Sequence, residues 1–380
     1  MNERLLIIGA SGRAAAQSAL RAGFIPTVID AFGDDDTCRS AECRVDAGYP
    51  ANLVAVAEQM PPADWFFVGG LENSPSIVDR IATRRRLLGV DGATLGRLRD
   101  PWALRAVLDV EGVRFPALRT ETSDVPRDGT WLLKSRRSAG GLGVSIFNEK
   151  SRPQIDRNRY LEHRIEGRSY GVTYIGDGRD ARLVGMVEQQ TVDSDPRHPF
   201  LYGGAVGPVE PSDDLRGRLE ALGRRTAGEF GLLGLFGIDV ILEGDTVWML
   251  EVNPRYTASV ELLEVAYGRP LIADHVRACR ERTLPPQAFS PAGTIVGKRI
   301  VYAGATGGTI TAEFNRMLWS LPGDGTLPAA ADISPAGSSI GAYAPLVTVM
   351  ASGTNASHVA DALDRRAAEI SRQFLRTSGR

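Results

Sequence analysis

The stretch GIDVILEGDTVWMLEVNPR, residues 237–255, decides how this chain is read. Apolar and β-branched residues flank Glu243-Gly244-Asp245, a composition that predicts two antiparallel strands joined by a tight turn. Glu251 and Asn253 lie at i and i+2, so on a strand they project from one face. Asp239 joins that face only if pairing parity allows it, which requires an odd number of loop residues around 243–245. A three-residue loop with a glycine bulge meets this condition. Two carboxylates and an amide oxygen on one face suit a hard cation that prefers oxygen ligands and keeps several waters. Arg255, following Pro254, offers a fork that can hold a phosphate or carboxylate bidentately. An ordinary hairpin with solvent-facing polar residues has the same pattern, so the rest of the chain has to decide.

At 380 residues the chain is long enough for about two to four domains. Hydrophobic residues make up 43% and charged residues 24%, as in a soluble globular protein, and the net charge of −2 gives no electrostatic reason to expect nucleic acid or an anionic membrane. Cys38, Cys43 and Cys279 are an odd number without a CxxC pair, which fits a reduced cytoplasm and neither a disulfide framework nor a zinc site. His163, His198, His275 and His358 are too scattered for a metal cluster. No leader is read before the strand-like LLIIGA, and no apolar run approaches the roughly 18 residues needed to span a bilayer. The expectation is a cytoplasmic protein acting on small molecules. Of the 44 basic residues, lysine occurs only as Lys134, Lys150 and Lys298, which are therefore candidates for positions that need a compact ammonium.

The order of elements predicts three parts. Residues 1–95 read as an α/β unit: strand 5–9, the turn Gly9-Ala10-Ser11-Gly12 into a helix, strand 26–30, helix 51–59, and strand 65–69 with its turn through Glu72 and Asn73. Residues 96–285 form the middle, divided near 166. They start with a helix through PWALRAVLDVEG and end on the hairpin. The segment 190–209, with Arg197, His198, Tyr202, Gly203 and Gly204, reads as a long loop able to close over an acid substrate. Residues 286–380 read as a small third lobe with strands near 297–303 and 343–353 and a helix over 356–374.

Lys134 ends a strand and is followed by Ser138, Gly140, Gly141 and Gly143, a turn whose peptide N–H groups and one ammonium can approach phosphate oxygens. With this second signal in hand, the segments KSRRSAGGLGV at 134–144, YLEHRIEG at 160–167 and GIDVILEGDTVWMLEVNPR at 237–255 resemble the ATP-grasp superfamily. The resemblance implies a mixed α/β and α+β fold in three parts: an N-terminal Rossmann-like domain, a two-lobed ATP-grasp domain and a small C-terminal β-rich lobe. It implies Lys134 on phosphate, the hinge of Glu162, His163, Ile165 and Glu166 on adenine, and Asp239, Glu251 and Asn253 on Mg²⁺ or Mn²⁺. Arg255 would lie near phosphate or substrate, and with Lys134 would be catalytic. A homodimer is similarly implied.

Two departures from the family pattern stand out: Asp100-Pro101-Trp102 lacks the expected lysine, with Arg99 or Arg105 as partial substitutes, and Ser169 stands where a ribose-binding glutamate is usual, with Glu166 as another candidate. The strand GKRIVYA and the later APLVTVMASG resemble a branch of carboligases related to biotin carboxylase, some associated with making cofactors of the tetrahydromethanopterin type. The resemblance thus implies a ligase joining a carboxylate to an amine, with ATP consumed to ADP. Gly9, Ser11, Gly12, Glu72, Asn73 and Arg255 are the substrate-side candidates. Two other readings stay open: a nucleotide-binding protein without turnover, and an NAD-dependent oxidoreductase built on the Gly9–Gly12 turn and Asp30.

Overall fold

The computed structural model describes residues 3–46, 48–151, 155–192, 195–286, 289, 293–325 and 327–378. The chain opens with a four-stranded parallel sheet in which Arg4–Gly9 lies between Ile25–Asp30 and Asp64–Phe67, with Glu42–Val45 at one edge. Leu5 to Ile8 are fully buried, as both faces of a parallel sheet are covered. Alternation divides them. Leu6 and Ile8 share a core with Leu53, Trp65 and Phe67, whereas Leu5 and Ile7 share one with Val260, Leu263 and Ile272. These last residues belong to the helices Ala258–Tyr267 and Ile272–Glu281, so the middle of the chain seals one face of the first sheet.

Helices Gly92–Leu98 and Pro101–Val107 lead to the small lobe. The second starts where expected, because Asp100 caps the Trp102 N–H and Pro101 sits in the first turn. It stops at Val107, short of the expected Gly112. The lobe is an antiparallel sheet ordered Leu118–Arg119, Arg159–His163, Asp128–Ser135, Val144–Asn148.

A nine-stranded sheet forms most of the rest, in the order Ala330–Ala331, Pro345–Gly353, Ile295–Tyr302, Tyr202–Gly207, Ala181–Thr191, Arg168–Asp177, Leu233–Glu243, Thr246–Asn253, Val113–Arg114, with Gly308–Thr309 and Ser339–Ile340 paired separately. It runs unbroken into the C-terminal part, because Tyr202–Gly207 pairs with both Ala181–Thr191 and Ile295–Tyr302. That strand lies inside the segment read from sequence as a loop. Its glycines disguise it: a Cβ on Gly204 would lie 2.1 Å from the Lys298 carbonyl oxygen, and one on Gly207 2.7 Å from Val187 Cγ1. Glycine here admits close neighbours in mid-sheet instead of marking a turn. Helix Ala356–Ser378 covers this end through Val359, Leu363, Ile370 and Phe374.

A buried ion network joins the three parts. Arg13 donates to both Glu261 oxygens at 2.5 and 3.0 Å and to Asp332 Oδ1 at 2.7 Å, and Lys298 Nζ donates to Glu261 Oε2 at 3.1 Å. Lys298 is thus a structural lysine. Among the described residues, no helix is long and apolar enough to cross a membrane.

Candidate functional site

The small and large sheets face each other across a cleft of about 950 Å³. Its floor is one face of the large sheet, carrying Ser169, Gly171, Gln189, Asp239, Glu251 and Asn253. Asp239 lies directly across from Glu251, as the shared face demands, but by a different route from the expected one. Glu243 pairs with Thr246, so the turn has only two residues, Gly244 and Asp245. The odd residue is Leu250, where pairing steps from Val240–Met249 to Asp239–Glu251. A bulge in the strand, not the turn, restores the phase.

Asn253 Nδ2 donates to Asp239 Oδ2 at 3.0 Å and to Glu251 Oε1 at 3.1 Å, bridging the two carboxylates. Gln189 Nε2 donates to Asp239 Oδ1 at 2.8 Å, reaching over Gly171, where a Cβ would lie 2.8 Å from that same nitrogen. Ser169 Oγ in turn donates to Gln189 Oε1 at 3.1 Å. Burial, with the Glu251 charge alongside, pushes Asp239 up to about 8. Burial acts on Glu251 the same way, but the nearby charges of Arg99 and Lys134 outweigh it and hold Glu251 below the ordinary glutamate range. The pair therefore holds a proton to higher pH than separate carboxylates would.

Among the described residues, no group of three or more His, Cys, Asp or Glu side chains is placed to hold a metal ion. The donor set is instead two carboxylates and an amide, which fits Mg²⁺ or Mn²⁺: a cation would take the place of the shared proton, and a half-turn of the Asn253 amide would present its oxygen to the same point.

Lys134 hangs over this floor from the small lobe, its Nζ 2.9 Å from Glu162 Oε1. Burial opposes the ammonium, but Glu162, Tyr160 and Glu251 outweigh it and keep Lys134 charged well above the ordinary lysine range. Glu162 faces the cleft as a side chain, a role that sequence reading had not given it, and its Oε2 has no hydrogen-bond partner. His163, one residue on, projects from the opposite face and meets Trp131 edge-on at 5.4 Å. Its expected place in the hinge is therefore limited to its backbone, whose N–H goes to the Ala117 carbonyl at 2.9 Å. Ile165 and Glu166 line the cleft. In the glycine loop, Ser138, Gly140 and Gly141 line it too, whereas Gly143 turns inward, where a Cβ would lie 2.4 Å from Ser138 Cβ. The loop leans on the start of the unforeseen strand: Tyr202 N–H donates to the Gly140 carbonyl at 2.9 Å.

Arg255 lines the cleft and links it to the first domain, its Nε donating to Glu72 Oε1 at 2.8 Å. Asn73 Nδ2 reaches the Ser138 carbonyl at 3.3 Å, so this turn touches the glycine loop. Gly9, Ser11 and Gly12 are not brought to the cleft. Gly9 packs against Val68, Ser11 Oγ faces Asp332 at 3.4 Å, and the Gly12 N–H donates to Asp30 Oδ2 at 2.7 Å. Asp30 Oδ1 also accepts from Phe32 and Gly33 N–H groups, both at 2.8 Å, so the acid that a dinucleotide ribose would need is already taken by backbone donors. A second concavity, about 930 Å³, is lined by Glu3, Asp64 and Arg84 to Arg86. Several of its charges are engaged, since Arg280 holds Glu3 and Asp64, and Arg85 binds the carbonyls of Ala57, Met60 and Pro61.

Residues 98–259 match the ATP-grasp domain family. The chain carries an ATP-grasp domain. It is 29% identical over 208 residues to the carbamoyl phosphate synthase large chain of Thermus thermophilus, a match covering 49% of this chain and 20% of that one. The chain thus spans about a fifth of the length of the curated relatives it matches. Its ATP-grasp fold extends along nearly the whole molecule. Biotin carboxylase of Campylobacter jejuni, solved as a β,γ-ATP complex, superposes with a TM-score of 0.72 at 16% identity, covering 98% of this chain and 96% of that one. N5-carboxyaminoimidazole ribonucleotide synthetase of Thermotoga maritima superposes with a TM-score of 0.66, also at 16% identity, covering 97% and 98%. The three-part ATP-grasp architecture expected from the sequence is therefore present. One residue of the site escaped the sequence, since Gln189 carries no motif. Glu162 was expected on adenine and Arg99 as a partial substitute for the missing lysine; the structure turns the Glu162 side chain to Lys134 and sets Arg99 beside Glu72.

Proposed function

We propose that this protein is an ATP-dependent, ADP-forming ligase that joins a carboxylate to an amine. The observation that carries the reading is the opposition of Asp239, Glu251 and Asn253 on one sheet to Lys134 and the glycine loop on the other, across one cleft. Bound there, Mg²⁺ would supply charge neutralisation for the β- and γ-phosphates, held by Asp239, Glu251 and the Asn253 oxygen. Lys134 and the peptide groups around Gly140 and Gly141 bind and orient the triphosphate, and Ile165 and Glu166 take the adenine end. A substrate carboxylate attacks the γ-phosphorus, the bond to the ADP oxygen breaks, and the amine then displaces phosphate from the acyl phosphate, losing a proton. Catalysis is positioning and electrostatic stabilisation, with no covalent protein intermediate. The glycine loop, already leaning on Tyr202 and Asn73, excludes water from the acyl phosphate.

The first domain, through Glu72 and Asn73, faces the acceptor side. An amino acid such as glutamate added to a precursor of a tetrahydromethanopterin-type cofactor fits the resemblance of the C-terminal strands, and carboxylase-type chemistry is the nearest variant. A homodimer in the cytoplasm completes the reading. One observation favours a second reading, ATP binding without turnover: the small-lobe helix offers Pro101 and Leu104 to the cleft, and no cation. A screen of carboxylate and amine pairs for Mg²⁺-dependent ADP release decides between them. Asp239→Asn and Glu251→Gln serve as controls, and activity that survives both substitutions removes the assignment.

A further inference from the structure

A second bulge decides where Tyr202 points. Along the paired strands Ala181–Thr191 and Tyr202–Gly207, Gln189 lies across from Ala205 and Gln190 from Gly204, but Thr191 lies across from Tyr202. Gly203 is therefore the extra residue, and a Cβ on it would run into Val192 Cγ1. Residues directly across from each other share a face, as do residues two apart on one strand, so Tyr202 joins Thr191 and Gln189 on the floor that carries Asp239. Without the bulge it would project from the other face. Its peptide groups are already spent. The N–H donates to the Gly140 carbonyl of the glycine loop, and the carbonyl accepts from Tyr302 Oη at 2.8 Å. The Tyr202 hydroxyl is buried and has no hydrogen-bond partner.

We infer that Tyr202 ties the arrival of the second substrate to closure of the glycine loop: its hydroxyl donates to an oxyanion while its N–H holds Gly140. The oxyanion is the carboxylate of the acid or the phosphoryl group that the acid receives. Burial first, then Asp239, Tyr302 and Glu261, keep the phenol protonated well above the ordinary tyrosine range, so the hydroxyl stays a donor. A buried donor without an acceptor is unfavourable, and a charged oxygen is its strongest partner. Position selects the ligand. Two strands separate Tyr202 from the strand of Asp239, and Glu261, whose charge also reaches the hydroxyl, pairs with Arg13 of the first domain. The hydroxyl thus lies between the metal-site aspartate and the junction with the first domain, on the acceptor side. Closure follows from the same residue, because Gly141, where a Cβ would run into the Phe200 carbonyl oxygen, lets the loop seat directly on this backbone. The inference rests on the ligase reading and deepens it by naming a contact for the second substrate.

Equilibrium dialysis tests the contact without turnover. Radiolabelled formate, the smallest carboxylate, is the probe on protein loaded with Mg²⁺ and AMP-PNP, and inorganic phosphate is the probe on protein loaded with Mg²⁺ and ADP. Wild-type protein should retain at least one anion, and Tyr202→Phe should weaken it by about tenfold, the loss of one charge-assisted contact, with ADP affinity kept within about twofold. Loss of formate identifies the acid as the source of the oxyanion, and loss of phosphate the transferred group. Tryptic cleavage after Arg136 and Arg137, at the base of the glycine loop, reads closure. The retained anion should slow that cleavage beyond the effect of nucleotide alone, and Tyr202→Phe should abolish the added protection. Equal anion binding by both proteins, no anion retained by nucleotide-loaded wild-type protein, or weakened binding with cleavage unchanged overturns the inference, as does a Tyr202→Phe variant that loses ADP as well. Failure of the wild-type protein to bind either nucleotide would instead remove the ATP reading itself and this inference with it.

Discussion

Arg13, Glu261, Lys298 and Asp332 at the junction of the three parts, and Lys134, Glu162, Glu72, Arg99, Arg255, Asp239 and Glu251 around the cleft, are both buried sets of cations and carboxylates. They differ in how completely their partners are matched. At the junction, Glu261 takes three donors from Arg13 and Lys298, and these charges outweigh burial and hold it far below the ordinary glutamate range. Around the cleft, Glu72 Oε2, Glu162 Oε2 and Arg99 Nη2 have no hydrogen-bond partner, and Asp239 is pushed up to about 8. Matched charges position domains. Unmatched ones, in a site open to solvent, fit the proposed nucleotide and cation.

The contrast breaks most easily at the carboxylates. Asp239→Asn should lower Mg²⁺-dependent ADP formation by about 10³-fold or more, the scale expected when a metal ligand of a phosphoryl-transfer site is lost, while thermal stability holds or rises because a neutral amide replaces a buried carboxyl that already favours its protonated form. A stability loss without an activity loss would place Asp239 in the structural class.

Glu261→Ala should do the reverse. It strands Arg13 and Lys298 and should cost about 3–5 kcal/mol of unfolding free energy in denaturant titration, with nucleotide affinity unchanged in the protein that remains folded.

Acidity offers a finer probe. Asp34 and Asp239 are each pushed up to about 8, and Glu264 to about 7, in all three cases chiefly by burial. The folded chain therefore holds protons that the unfolded chain has already released above about pH 4. Stability from these groups is full below that pH and is lost as pH rises through 7 to 8. Melting temperature should fall between pH 6 and 9, and Mn²⁺ should restore the Asp239 share but not that of Asp34. A flat profile, or equal rescue of both, would blur the two classes.

The smallest effect is assigned to Gln189→Ala, which should weaken Mn²⁺ binding by about tenfold through loss of the hydrogen bond that orients Asp239. Paramagnetic resonance of bound Mn²⁺ would register the altered ligand field directly.

Much of this was legible in the sequence because local periodicity carried it. The LLIIG strand, the glycine turn after Lys134 and the i, i+2 pair Glu251 and Asn253 each announce themselves within a few residues. The same alternation could have separated Glu162 from His163, as Tyr160 and Glu162 must share the Lys134 face. Other features depend on pairings between distant segments. Glu72 meets Arg255 and Arg99 only because the first domain docks on the cleft, and Gln189 meets Asp239 only across the strand that carries Gly171. Tyr202–Gly207 was hidden by composition, since glycines that open space in mid-sheet look like glycines that bend a loop.

The bulge at Leu250 has a bearing on how related chains should be sought. A version of the hairpin lacking that residue would bring the same aspartate and glutamate opposite each other on a regular ladder, because Glu243 and Thr246 already fix the far end. The interval between the two acids is therefore not a fixed ruler. A search pattern that insists on it would pass over chains with a straight strand and the same chemistry, whereas one that lets the interval shrink by a residue would collect both.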